Sequence, residues 1–297
     1  MLIRRVGSSI HVDAPAKVNL FLDVLGRRAD GFHDIETLMV SVGLYDSLRF
    51  EGVDSPKLSL AWASIAKGIP TTLPVDDRNL ILRAANLLRE HAGVSVGADI
   101  RVHKRIPTEA GLGGGSSDAA ATLVGLNALW DLKLPAQKLH ELAAQLGSDI
   151  NFFIESPRAA VCRGRGEQVT AVPFQGTLPM VLVKPPSGCS TKDVFQNVTL
   201  SKEVISMEAV LRAASCGSNA QIGREFYNAL QDAARVVNPD VDRLLKAIRN
   251  AGVVAAGMTG SGSTCVGICR SARHAQRLAR QLRSQQFGKV FSVSVRI

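Results

Sequence analysis

A chain of 297 residues can bury a substantial core and stands near the length at which one core divides into two, so two domains are expected, 1–158 and 159–297. With 46% hydrophobic and 21% charged residues, no apolar run of membrane-spanning length and no secretory apolar core in the opening MLIRRVGSSIHVDAP, the composition excludes a membrane protein and points to a soluble, cytoplasmic one without a membrane partner. The net charge of +9 suits anionic partners, but much of it is a helical stripe, Arg270, Arg273, Arg277, Arg280 and Arg283, that reads as a solvated face. Only ten Phe, two Tyr and two Trp are available for base stacking, so RNA binding is a minor alternative and no nucleic-acid partner is expected.

In chain order, residues 16–24 alternate Val18, Leu20, Leu22 and Val24 against Lys17, Asn19, Phe21 and Asp23, a strand with one apolar face that turns Lys17 and Asn19 the same way. GRRADGFH, residues 26–33, is a turn, followed by strand candidates at 35–42, 47–51 and 57–61. Asp77 or Asn79 starts a helix that runs through Leu80, Ala84, Leu87 and Leu88 and stops at Gly93, and 98–105 returns as a strand.

Residues 106–121, IPTEAGLGGGSSDAAA, then form the most informative stretch. Gly111, Gly113, Gly114 and Gly115 permit a backbone path and a close approach that side chains would block. The alanine-rich helix expected over 116–130 would turn its free first-turn amides and positive dipole end to the same space, which makes a phosphate cradle. A dinucleotide fingerprint fails at Ser116, and no Gly-Lys-Ser/Thr follows to make a Walker lysine.

Pro135 opens a further helix that Gly147 closes, with Ser148 and Asp149 just beyond. Strands are expected at 159–162 and 180–184, and helices at 206–214, 224–235 and 241–250. A segment at 253–256 leads into a second glycine loop, 257–263, and the arginine-striped helix follows. The mixture indicates an α+β fold with mixed or antiparallel sheets. Five widely spaced cysteines without a C-x-x-C suggest reduced thiols and no cysteine metal site.

PAKVNLFLDVLGRRADGFHDIETLM (15–39), GLGGGSSDAAA, LGSDINFF (146–153) and GMTGSGST resemble, in that order, the motifs of the GHMP kinase superfamily. The pairing of PAKVNL with DGFH and the triple-glycine loop are similar to its branch of cytidylyl-erythritol kinases in non-mevalonate isoprenoid synthesis. The homoserine, mevalonate and galactose branches usually carry GLGSS or GLSSS and lack that pairing. The resemblance covers most of the chain.

The resemblance implies a two-domain GHMP kinase fold, ATP as co-substrate with Mg²⁺, and phosphorylation of the 2-hydroxyl of the erythritol unit by a monomer or homodimer. Asp149 matches the catalytic aspartate and Lys17 the active-site lysine; a carboxylate beside an ammonium suits proton acceptance and in-line placement. Pro107, Ala110, Gly111, Leu112, Gly113, Gly114, Gly115, Ser116 and Ser117 match the ATP-phosphate loop. Asn19, His33, Thr191, Phe195, Gly260 and Ser261 match substrate-binding positions, with Asn19 and His33 at the cytosine ring and Phe195 stacking on it. Taken singly, Lys17 also reads as a surface ion pair, Asp149 as a helix cap, His33 as a turn residue and Phe195 as a core contact. Glu109 lies beside a cradle for anions, facing either solvent or Mg²⁺, and Asn151 stands where the family commonly has proline. Another GHMP small-molecule kinase and a non-catalytic ATP or sugar sensor remain open alternatives.

Overall fold

A computed structural model describes residues 1–67, 69, 72–200 and 205–295. The chain forms two compact units, each discontinuous in sequence. The first comprises Met1–Ala16, Leu44–Pro107 and Gly113–Ser156; the second comprises Lys17–Gly43, Thr108–Leu112 and Pro157–Ile297.

In the first unit, β1 (Leu2–Val6) pairs antiparallel with the start of β2 (Ser9–Arg27) through a two-residue turn in which Gly7 takes φ +59. The two strands expected at 35–42 and 47–51 are one, β3 (His33–Val53). Asp46, in the gap between them, lies in the same extended strand, and its carboxylate meets a buried lysine from a neighbouring strand. β4 (Leu58–Ile65) runs parallel to the later β5 (Gly97–Lys104), which pairs antiparallel with the end of β3. Between them, α1 (Leu80–Ala92) begins where Asn79 Oδ1 accepts the amide of Ile81 at 2.9 Å and ends at Gly93, φ +64. α2 (Gly114–Leu129) is buried on most sides, and Gly125 admits the ring of Phe50, which a Cβ would meet at 2.5 Å. α3 (Ala136–Leu146) follows Pro135 as expected. A further short helix, α4 (Ile150–Glu155), was not legible, because six residues give too little periodicity; Phe152 and Phe153 anchor it edge to face at 5.2 Å.

In the second unit, β6 (Ala159–Arg163) pairs with Thr37–Val40 of β3 and with β7 (Gln168–Ala171). β8 (Pro179–Lys184) leads through α5 (Thr191–Gln196), α6 (Glu208–Ser215) and α7 (Asn219–Arg224). The helix expected over 224–235 is interrupted: β9 (Tyr227–Asn228) lies parallel to Phe21–Leu22 of β2 before α8 (Gln231–Val237) begins. Asn228 explains the break, since its Nδ2 donates to the carbonyls of Met258 and Gly260 at 2.8 and 2.9 Å and its Oδ1 accepts from the amide of Leu230. α9 (Asp240–Asn250), β10 (Ala255–Met258), β11 (Cys265–Ile268), α10 (Ala272–Ser284) and β12 (Lys289–Ser294) complete an antiparallel sheet ordered β10-β11-β8-β12. Val181, Val183, Leu244, Ile248, Leu278 and Leu282 share its core, while the α10 arginines face solvent. All five cysteines are free, four of them buried. Among the described residues, no helix is long and apolar enough to cross a membrane.

Candidate active site

The glycine loop is built from apolar pegs and left-handed corners. Pro107, Ala110 and Leu112 are buried, and Gly111 and Gly113 take φ +69 and +70. α2 starts two residues before the expected Ser116, with Gly113 as a cap that carries no side chain. Ser117 N donates to Gly113 O at 2.8 Å, so the amides of Gly114, Gly115 and Ser116 precede the first bonded turn. No acidic side chain stands in that turn, and Gly115 is exposed. The Ser117 hydroxyl is buried without a hydrogen-bond partner among the described residues. Free amides, a positive helix end and an unmatched hydroxyl suit a phosphate.

Beneath this turn lies a charged knot. Lys104 Nζ stands 2.5 Å from both Asp46 Oδ2 and Asp118 Oδ2, all three groups being buried. Asp46 Oδ1 also accepts the amides of Arg105 and Ile106. Burial, with Asp46 close by, pushes the Asp118 carboxyl up to about 8 against the pull of Lys104. Burial disfavours the Lys104 ammonium, but the two carboxylates hold its pKa above the ordinary value. Gly114 must be glycine, because a Cβ there would stand 2.8 Å from Ile106 Cγ2 and 3.2 Å from Lys104 Nζ.

In the second unit, Gly111 packs on the other glycine loop, where an added Cβ would meet the Thr259 carbonyl oxygen at 2.2 Å. Thr264 N donates to Ala110 O at 3.3 Å across the same contact. Lys17 is buried, its amide donating to Leu112 O at 3.0 Å and its Nζ to Asn19 Oδ1 at 2.6 Å. Its ammonium is close enough to Gly260 that a Cβ there would lie 3.2 Å away. Thr191 Oγ1 and Ser261 Oγ are 2.9 Å apart, which ties α5 to the same loop. The rings of His33 and Phe195 pack on each other, with centroids 5.1 Å apart and planes tilted by 30°. Lys17 therefore does not lie at the surface, and Phe195 is partly buried and packs against the core of this unit.

Asp149 occupies the cap position of α4, but its carboxylate does not cap the helix. Asn151 is the second residue of α4, in a first turn that is helical without proline. Glu109 turns towards the 185–189 segment: a Cβ on Gly188 would meet its Oε2 at 2.5 Å, and it acts electrostatically on Lys184. Burial lowers the Lys184 pKa and Glu109 partly restores it. Reading the sequence missed Asp46, Lys104, Asp118, Thr37 and Thr259, whose partners lie up to 240 residues apart and leave no local pattern. Among the described residues, no group of three or more His, Cys, Asp or Glu could hold a metal.

Comparison with known proteins gives this geometry a family. Residues 79–156 match the GHMP kinases N terminal domain, and residues 206–288 match the GHMP kinases C terminal model. The chain is 40% identical over 273 residues to 4-diphosphocytidyl-2-C-methyl-D-erythritol kinase of Mycolicibacterium gilvum, spanning 89% of this chain and 83% of that one. It is 41% identical over 272 residues to the enzyme of the same name from Pelotomaculum thermopropionicum, spanning 91% and 92%. A crystal structure of 4-(cytidine 5'-diphospho)-2C-methyl-D-erythritol kinase superposes with TM-score 0.80 at 34% identity, covering 96% of this chain and 98% of that one. Mevalonate kinase of L. major, at 18% identity and TM-score 0.75 over 99% of both chains, shares the fold. The chain belongs to the 4-diphosphocytidyl-2-C-methyl-D-erythritol kinase family of the GHMP kinases.

Proposed function

We propose that the protein transfers the γ-phosphoryl group of ATP to the 2-hydroxyl of 4-diphosphocytidyl-2-C-methyl-D-erythritol, giving the 2-phosphate and ADP in non-mevalonate isoprenoid precursor synthesis. The observation that carries this reading is a buried lysine ammonium held beside the Gly260 loop, on a chain about 40% identical to kinases of that name. On this reading, residues 1–158 carry the phosphate loop and both catalytic groups, and 159–297 complete the substrate site.

Pro107 and residues 110–117 cradle the triphosphate, with the amides of Gly114, Gly115 and Ser116 and the Ser116 and Ser117 hydroxyls as donors. The Ser117 hydroxyl, unmatched within the protein, suits Mg²⁺ or a phosphate oxygen. With no carboxylate cage among the described residues, Mg²⁺ would rely chiefly on the phosphates. When bound, Mg²⁺ supplies charge neutralisation on the transferring group. Asp149 accepts the proton of the acceptor hydroxyl, and Lys17 offsets charge developing in the transition state. His33 bonds the edge of the cytosine ring while Phe195 stacks on it; Thr191, Gly260 and Ser261 line the acceptor side.

The test is ADP release with ATP and Mg²⁺, offering the cytidylyl substrate beside mevalonate, homoserine and galactose. Turnover is expected with the cytidylyl substrate alone, to be abolished by EDTA and to fall about 10²- to 10⁴-fold in Asp149→Asn. Turnover with another acceptor overturns the substrate; ATP binding without turnover on any of them overturns the kinase reading.

A further inference from the structure

The resemblance places Asn19 at the cytosine ring, but its amide is committed within the protein. Oδ1 accepts from Lys17 Nζ at 2.6 Å and from Thr259 Oγ1 at 3.1 Å, while Nδ2 donates to Thr37 Oγ1 at 2.8 Å. The backbone amide of Asn19 donates to Thr259 Oγ1 at 2.9 Å. Lys17 is 3% exposed, and Asn19, Thr37 and Thr259 are 0% exposed.

The direction of each bond follows from the inventory of donors. The Thr37 hydroxyl gives its only proton to the carbonyl oxygen of Phe21, 2.5 Å away, so towards Asn19 it can only accept. That requires the amide nitrogen of Asn19 to face Thr37. Thr259 accepts the Asn19 backbone N–H, so its own proton is available for Oδ1. Thr37 thus selects the amide orientation with the carbonyl oxygen towards Lys17, and Thr259 supports it by donating to that oxygen. The flipped amide would set its N–H donors against an ammonium at a buried site, where such a clash is costly.

We infer that Thr37 and Thr259 are positioning residues for Lys17, acting through Asn19, whose role is to orient that ammonium and not to read the base. The inference rests on the proposed role of Lys17. Without either hydroxyl the amide keeps its oxygen towards the ammonium but loses an anchor that holds it in place, so its hold on Lys17 loosens while the substrate contacts remain. Phosphoryl transfer is sensitive to placement, so the defect belongs in turnover and not in binding.

The test compares Thr37→Val, Thr259→Val, Thr37→Ser, Thr259→Ser and Lys17→Met, each checked by thermal melting, in steady-state kinetics with ATP and the cytidylyl substrate. The valine variants are expected to lose about 10- to 100-fold in kcat with both KM values within about threefold, and the serine variants to return to within about threefold of the native kcat. Adding Thr37→Val to Lys17→Met should cost nothing more, because the two act on one ammonium. Native kcat in both valine variants beside a crippled Lys17→Met overturns this inference alone; native activity in Lys17→Met overturns the role of Lys17 as well. A rise in KM for the cytidylyl substrate at unchanged kcat returns Asn19 to base recognition. Losses that add in the double variant, or that serine fails to restore, make the threonines structural and overturn the inference; should one valine variant not fold, the other decides.

Discussion

Three buried lysines show how the partner decides what an ammonium does. Lys184 gives its protons to the carbonyls of Pro185 and Ser187 and pins a turn. Lys17 donates to the neutral side-chain amide of Asn19, which holds its ammonium beside the Gly260 loop. Lys104 lies between two carboxyls, and its removal would strand them, so Lys104→Met should cost about 3–5 kcal/mol in denaturant unfolding. The same knot carries a pH signature. The Asp118 carboxyl moves from an ordinary 3.8 to about 8 on folding, so between those values the folded chain holds a proton the unfolded chain has released. That contribution is complete below about pH 4 and is lost as pH rises through about 8. Asparagine cannot titrate, so Tm should decline less steeply between pH 5 and 8.5 in Asp118→Asn than in the native protein; an equal or steeper decline refutes the assignment. If Phe195 stacks on the cytosine ring as proposed, Phe195→Ala should raise KM for the cytidylyl substrate about 10-fold or more at nearly unchanged kcat, the loss of one aromatic stacking partner. Lys17, Asp149, His33 and Phe195 were singled out from the sequence because the motifs that name them are local. Lys104, Asp118 and Thr259 were not, because what makes them matter is a partner from a distant strand or loop.

Among the elements, regular periodicity and caps were read well and competing interactions were not. α1 and α3 fall where Asn79, Gly93 and Pro135 place their ends, and α10 carries its arginines on the solvent face. The two misreadings, the split of β3 and the unbroken helix over 224–235, have one cause: local propensity lost to a tertiary bond, through Asp46 in the first case and Asn228 in the second. The early start of α2 has another. Glycine is a poor helix former, yet the turn from Gly114 is needed where no side chain fits and amides must stay open. Gly111 is the most constrained member of that loop. Gly111→Ala adds a left-handed penalty of about 1–2 kcal/mol and puts a methyl group 2.2 Å from the Thr259 carbonyl oxygen, so the two glycine loops must separate. Lower stability with a fall in kcat/KM for ATP of about 10-fold or more is the expected outcome, while wild-type kinetics would show that the loop contact is dispensable.

Over the whole molecule, composition indicated two bodies but could not show how the chain is shared between them. The second unit takes Lys17–Gly43 from the long N-terminal strands, Thr108–Leu112 from the glycine loop and everything after Pro157. Those early segments contribute more than chain length. Thr37–Val40 is the antiparallel partner of β6, Phe21–Leu22 is the parallel partner of β9, and Leu22, Val24 and Ile35 enter the core with Leu230 and Val183. A fragment cut at the linear boundary, residues 159–297, would keep the antiparallel sheet and α10 but expose the edge of β6, leave Asn228 without its flanking strand and open that core on one side. Exposed strand edges and uncovered aliphatic side chains favour aggregation over folding. The fragment should therefore give no cooperative melting transition on its own, whereas joining it to a piece carrying residues 1–158 should restore one together with kinase activity. A fragment that melts cooperatively alone would show that the sheet and α10 suffice, and that the early strands serve only to carry Lys17 and His33.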